Sequence, residues 1–206
     1  MEHLLIDEGV SISTEDRVAR LRDEIKKCDK CKNLRHDKHK SSKWKPWLFP
    51  EEDGVKGFLG CSDIMFVGER PSTGKSKDDK LDEATKLFYN LLKKYGFQEA
   101  HLTDLTKCRK EVKEEDTLQE ISNCLGYFKR ELTDINTRTL VALGQKQYMT
   151  LKFLLPALEQ PVELLRLRHY SATIRFKDKK KRREAKEKYY HEFKELSLKL
   201  RKRNLK

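Results

Sequence analysis

The sequence predicts an α/β domain built on a mainly parallel sheet of four strands. Three observations predict it. Short apolar runs recur along the chain, two of them stopped by glycine. Stretches with helical spacing of apolar residues lie between those runs. Capping residues stand at the helix ends, with Ser or Thr at one end and Gly or Pro at the other.

The elements follow in order. Residues 1–13 read as a loose, acidic leader without the apolar core of a signal peptide. Ser13-Thr14-Glu15-Asp16 opens a helix that carries Val18, Leu21 and Ile25 on one face and runs into Cys28. Residues 32–60 are polar and aromatic, with Pro46, Pro50, Gly54, Gly57 and Gly60, and read as a long irregular segment. Ile64 to Val67 is the first strand, closed by Gly68. Residues 82–95 form a helix through Ala84, Leu87, Phe88, Leu91 and Leu92, ending at Gly96. HLTDL (101–105) is the second strand, and 116–133 a helix with Leu118, Ile121, Leu125, Phe128 and Leu132 on one side. TLVALG (139–144) is the third strand, followed by a helix over 145–155 up to Pro156. VELLRLRH (162–169) is the fourth, and 178–202 a long basic helix striped by Tyr189, Phe193, Leu196 and Leu200. The expected division is an α/β domain over 1–176 and a basic helix over 177–206, packed on that domain or extending it. In sheets of this kind, sites form beyond the C-terminal ends of the strands. Those ends carry Gly68-Glu69, Asp104 and His169.

Charged residues outnumber apolar ones, 39% to 36%, so the core must be compact. The formal charge of +12 favours a polyanionic partner, nucleic acid before an anionic membrane surface. Part of that excess sits in KDKKKRREAKEK, whose charged side would meet phosphates or water and whose apolar side would pack. No apolar run approaches the length of a membrane span. A soluble cytoplasmic protein is expected.

Five cysteines in a reducing compartment point to ligands or buried thiols rather than disulfides. Cys28 and Cys31 form a CxxC, and Cys108 and Cys124 have fifteen residues between them. Four thiolates suit tetrahedral zinc or an iron–sulfur cluster. Zinc on Cys28, Cys31, His36 and His39 is a third arrangement, and core packing of Cys108 and Cys124 a fourth. Cys61 stands alone and reads as a plain buried thiol. GERPSTGKS looks like a phosphate-binding loop, but Gly68 and Gly74 have five residues between them where that motif needs four.

CDKCKNL, VGERP after the first strand, TDLTKCR with Cys124 downstream, and His169 closing the last strand with Arg175 beyond it resemble the uracil-DNA glycosylase superfamily. The nearest branch is its iron–sulfur family 4, found in thermophilic archaea and bacteria. The resemblance spans about residues 18–176, with the motifs in the same order. It implies a three-layer sandwich around the sheet and a monofunctional DNA-repair glycosylase that flips a deaminated base out of DNA and hydrolyses its N-glycosidic bond. It implies a [4Fe–4S] cluster on Cys28, Cys31, Cys108 and Cys124, with zinc as the alternative. His169 would stabilise the leaving base, and Glu69 or Asp104 would orient water and offset charge on the sugar. Gly68, Arg70, Pro71, Ser72 and Asp104 would hold the base. Arg175, Lys107, Arg109 and Ser171 would contact the DNA. The partner would be DNA carrying a deaminated base, met by a monomer in a prokaryotic or archaeal nucleoid.

Three departures are visible. Asp104 stands where the family has Asn, and an ionised Asp accepts hydrogen bonds without donating any. Lys80 or Leu81 falls where an aromatic residue stacks on uracil, leaving Phe58 or Trp47 as substitutes. The His-Pro-Ser/Ala motif reads His169-Tyr170-Ser171-Ala172. These changes keep open a non-catalytic DNA-binding member of the superfamily. A metal-containing RNA-binding protein is a further alternative.

Overall fold

The structure, a computed structural model, describes residues 12–31, 46–71, 81–108, 118–158 and 160–203. The expectations placed on His36, His39, Ser72, Lys80 and Arg109 lie outside the described residues.

Helix α1 (Thr14–Lys26) begins where the sequence asks it to, with the Ser13 hydroxyl accepting from the Asp16 amide. Strand β1 (Ile64–Gly68) follows, then α2 (Glu83–Tyr95), capped by the Asp82 carboxylate and closed by Gly96 in the left-handed conformation. Strand β2 (His101–Asp104), α3 (Leu118–Ile135), β3 (Thr139–Leu143), α4 (Gln145–Leu154), β4 (Glu163–Leu167) and α5 (Lys179–Arg201) complete the order. The strands pair in the order β2-β1-β3-β4, all of them parallel.

Alternation along each strand divides the core between two faces of the sheet. Phe66, Leu102, Val141, Leu143 and Leu167 face α2 and α5. Met65, Val67, Leu140 and Ala142 face α1, α3 and α4. The result is a three-layer α/β/α sandwich. The basic helix α5 belongs to it: Tyr189 and Phe193 are fully buried, and Phe193 stacks on Phe66 at 6.2 Å and on Tyr95 at 5.6 Å. Its Lys and Arg side chains point outward, several of them onto acids of the domain, as in the Arg182 and Lys186 pairs with Glu83. Among the described residues no helix is long and apolar enough to cross a membrane.

From β1 the chain goes to β2 on one side and then to β3 and β4 on the other. The crevice opened by that reversal, beyond the strand ends of β1 and β3, is where an open parallel sheet binds ligands.

Candidate active site

A cleft of about 580 Å³ lies in that crevice. Glu69 and Arg70 enter it from the end of β1, Gly144 to Gln147 from the turn between β3 and α4, and His169 and Arg175 from the chain after β4. Three of the residues expected from strand ends and motifs, Glu69, Arg70 and His169, therefore meet in one place, with Arg175 beside them.

His169 is held by its own turn. It caps the 3-10 turn Tyr170–Thr173, its Nδ1 accepting the Ser171 amide at 3.1 Å and lying 2.8 Å from the Ser171 hydroxyl. A backbone N–H can only donate, so Nδ1 carries no proton and the neutral ring keeps its proton on Nε2. Burial pushes the His169 pKa down to about 4, helped by the Arg175 guanidinium. The ring is thus a neutral donor at neutral pH. Arg175 is fixed in turn, donating to the Ser171 hydroxyl at 3.2 Å.

Glu69 is half-buried and pairs with Lys146 at 2.7 Å across the cleft. Arg70 reaches Glu120 at 3.6 Å, and Pro71 is buried beside it. At the turn into α4, Gly144 adopts φ 104°, and no side chain caps the helix. Its first amides are left to the cleft. There Gln147, 2% exposed, has a side-chain nitrogen without a hydrogen-bond partner. Arg166 and Arg168 add charge to the wall, Arg168 tied to Glu192 at 2.8 Å. Sequence reasoning missed Lys146, Gln147, Arg166 and Arg168. The rule that ligands gather at strand ends would have found the residues after Gly144.

Asp104 sits one strand over and does not line this cleft. Its carboxyl group covers Gly68, where an added Cβ would stand 2.1 Å from Oδ1, so any larger residue at that strand end would have to displace Asp104. Burial pushes the Asp104 pKa up to about 7, with Glu131 and Glu69 adding to the rise and Lys107 and Arg70 opposing it.

Lys107 corrects an expectation. It is 1% exposed, and its ammonium donates to Thr103 Oγ1 and the Asp104 carbonyl, both at 2.6 Å, and pairs with Glu131 at 2.7 Å. Lysine at that position turns inward because Glu131 and His101 form a polar pocket beneath β2. Lys107 cannot contact DNA. Phe58 is likewise no stacking residue: it is buried against the His101 ring at 4.6 Å. Trp47 packs edge-on against Phe49, and Leu81 joins the core below α2.

Packing of α1 on α3 brings three of the four motif cysteines into one neighbourhood. Burial and the charges of Cys31 and Cys28 raise the Cys124 thiol, while the Lys107 backbone N–H opposes this by bonding to it. The Asn123 amide donates to Cys31 Sγ at 3.4 Å, and Tyr127 bonds to Cys28. Cys108 follows Lys107 directly and pairs with Pro46 in an antiparallel bridge. No three His, Cys, Asp or Glu side chains among the described residues are grouped to hold a single metal ion. Cys61 lies apart, bonded to the Leu59 carbonyl, its pKa pushed up to about 11 by burial.

The family model described as the uracil DNA glycosylase superfamily matches residues 59–194. A type-4 uracil-DNA glycosylase of Saccharolobus solfataricus is 27% identical over 135 residues, 63% of this chain and 56% of that protein. One of Archaeoglobus fulgidus is 30% identical over 129 residues, 59% of this chain and 57% of that protein. The chain thus spans somewhat more than half the length of these relatives. The crystal structure of Pedobacter heparinus SMUG2 shares the fold with a TM-score of 0.53 and 14% identity, covering 90% of this chain and 98% of that one.

Proposed function

The chain belongs to the uracil DNA glycosylase superfamily, and from that membership we propose that it is a monofunctional DNA glycosylase that removes uracil or another deaminated base. The observation that carries this is the neutral His169, its Nε2–H free to donate into a cleft rimmed by cations.

In this reading the flipped nucleotide enters the cleft base first. As the bond from C1′ to the base nitrogen breaks, its electron pair moves onto the base and positive charge grows on the sugar. A donor already aimed at the base oxygen stabilises that anion without reorganisation. A cationic His169 would need a proton the site disfavours, so the neutral ring acts by hydrogen bonding. Glu69 orients the water that adds to C1′ and offsets the sugar's charge, while Lys146 holds it in place. Gly68 and Pro71 shape the floor of the base pocket. Asp104 lies outside the cleft, and its carboxyl group backs Gly68 at the strand end behind the base pocket.

The open α4 N-terminus, Gln147, Arg166 and Arg175 provide donors and charge for the phosphates beside the flipped nucleotide. Ser171 extends that face. The protein would act as a monomer on DNA in the cytoplasm.

We assign Cys28, Cys31, Cys108 and Cys124 to a [4Fe–4S] cluster. The neighbourhood shared by Cys28, Cys31 and Cys124 supports that reading, and the CxxC with a pair fifteen residues apart suits a cluster better than a zinc ribbon. When bound, such a cluster ties α1, the end of β2 and α3 together rather than entering the reaction.

The test is single-turnover release of base from oligonucleotides carrying uracil, hypoxanthine or xanthine. Wild type should release at least one, and His169→Ala should be slower by about 10²–10³. No release from any of them would overturn the assignment.

A further inference from the structure

His169 has its Nδ1 fixed by Ser171, but hydrogen bonds at one atom leave a ring free to rock about that atom. What fixes its plane is the next residue. The Tyr170 ring lies 4.3 Å from the imidazole at 29°, and its other neighbour, Phe88, is 5.1 Å away at 15°. Phe88 is fully buried and rooted on Phe66 and Phe193. The three rings form a column from the core to the cleft. The Tyr170 hydroxyl is held as well, by Thr85, one turn from Phe88 on α2. On the other side of His169, a Cβ on Gly144 would lie 3.4 Å from the His169 Cβ, so glycine keeps the turn close without crowding the ring.

We propose that Tyr170 is a positioning residue: backed by Phe88, its ring sets the plane of the His169 imidazole and keeps Nε2–H aimed at the leaving base. The part that concerns the leaving base rests on the glycosylase reading above. The column also seals one face of the imidazole from water. A proline at this place, as in the His-Pro-Ser/Ala motif, would restrain the turn but offer no aromatic face. Here the aromatic residue that other members place against the base has no counterpart among the described residues, and the aromatic surface stands behind the histidine instead. The groups that face Tyr170 and His169 are Asp104, Asp82, Glu69 and Arg175. None of them could fix a ring plane in its place.

The test compares Tyr170→Phe and Tyr170→Leu with wild type, with thermal unfolding to confirm the fold. Ring-nitrogen NMR shifts of His169 are followed between about pH 3 and 8 without DNA. Single-turnover base release is measured alongside DNA affinity. Tyr170→Phe should stay within about threefold of wild type. Tyr170→Leu should release base about 10- to 100-fold more slowly with affinity nearly unchanged. In that variant the His169 midpoint should rise towards the ordinary histidine value and its nitrogens should average between tautomers. If Tyr170→Leu does not fold, Phe88→Leu removes the backing ring and gives the same readouts. A wild-type titration, tautomer and rate in the Leu variant would overturn the proposal. A wild type that releases no base, with His169 still loosened by Tyr170→Leu, would overturn the glycosylase reading and leave the positioning role standing.

Discussion

Asp104 and Glu131 are both buried carboxyl groups near the end of β2, yet their environments drive them in opposite directions. Burial raises both. For Glu131 the Lys107 ammonium and His101 outweigh it, and its pKa falls. For Asp104 burial wins, with Glu131 and Glu69 adding to the rise, and its pKa reaches about 7 against an ordinary 3.8. Stability from Asp104 is therefore complete below about pH 4 and lost as pH rises through about 7. His169 works the other way: its contribution is present above about pH 6.5 and lost as pH falls towards about 4. Replacing Asp104 by Asn removes only the first dependence. Asp104→Asn should raise the melting temperature more at about pH 8 than at about pH 5, by several degrees. An equal shift at both pH values would show that the carboxyl group is ionised throughout.

At the scale of elements, the turn after β2 does two jobs through adjacent residues. Lys107 turns its side chain into the buried pair with Glu131, and its backbone N–H reaches Cys124. Breaking that pair would strand a charge in the interior, at a cost of about 3–5 kcal/mol. Cys108 follows Lys107 directly, bridged to Pro46. A cluster there would brace three elements that otherwise meet through α1–α3 packing and the contacts of Lys107 with Glu131 and Cys124. Protein purified without oxygen should show a visible band at about 400 nm, and Cys108→Ser should bleach it and lower the melting temperature. A colourless protein carrying one zinc per chain would assign the cysteines to zinc instead.

At the scale of the molecule, α5 is part of the core despite its charge. Burying Tyr189, Phe193, Leu196 and Leu200 contributes roughly 6–12 kcal/mol. That is as large as the whole net stability of an ordinary domain, about 5–15 kcal/mol. A chain ending after Phe176 should therefore fail to fold cooperatively, as a flat circular-dichroism melt would show. A sharp melt would make α5 a separable tail. The ion pairs of its outer face matter far less, each contributing up to about 1 kcal/mol where exposed.

The sequence by itself determined the element order, the helix caps and the strands that end in Glu69, Asp104 and His169. These are local facts: periodicity, turn residues and caps act over a few positions, and the strand-end rule turns them into a site. It also carried the family's motifs in register. Other facts needed the tertiary structure, because they depend on what lies across the sheet. A lysine beside Cys108 reads as surface charge until Glu131 appears beneath it on another element. Tyr170 reads as a substitution until Phe88, eighty-odd residues earlier, places a ring behind it. The uncapped start of α4 means little until Gln147 and His169 close around the same space. Burial and long-range partners set those outcomes, and neither is written in local spacing.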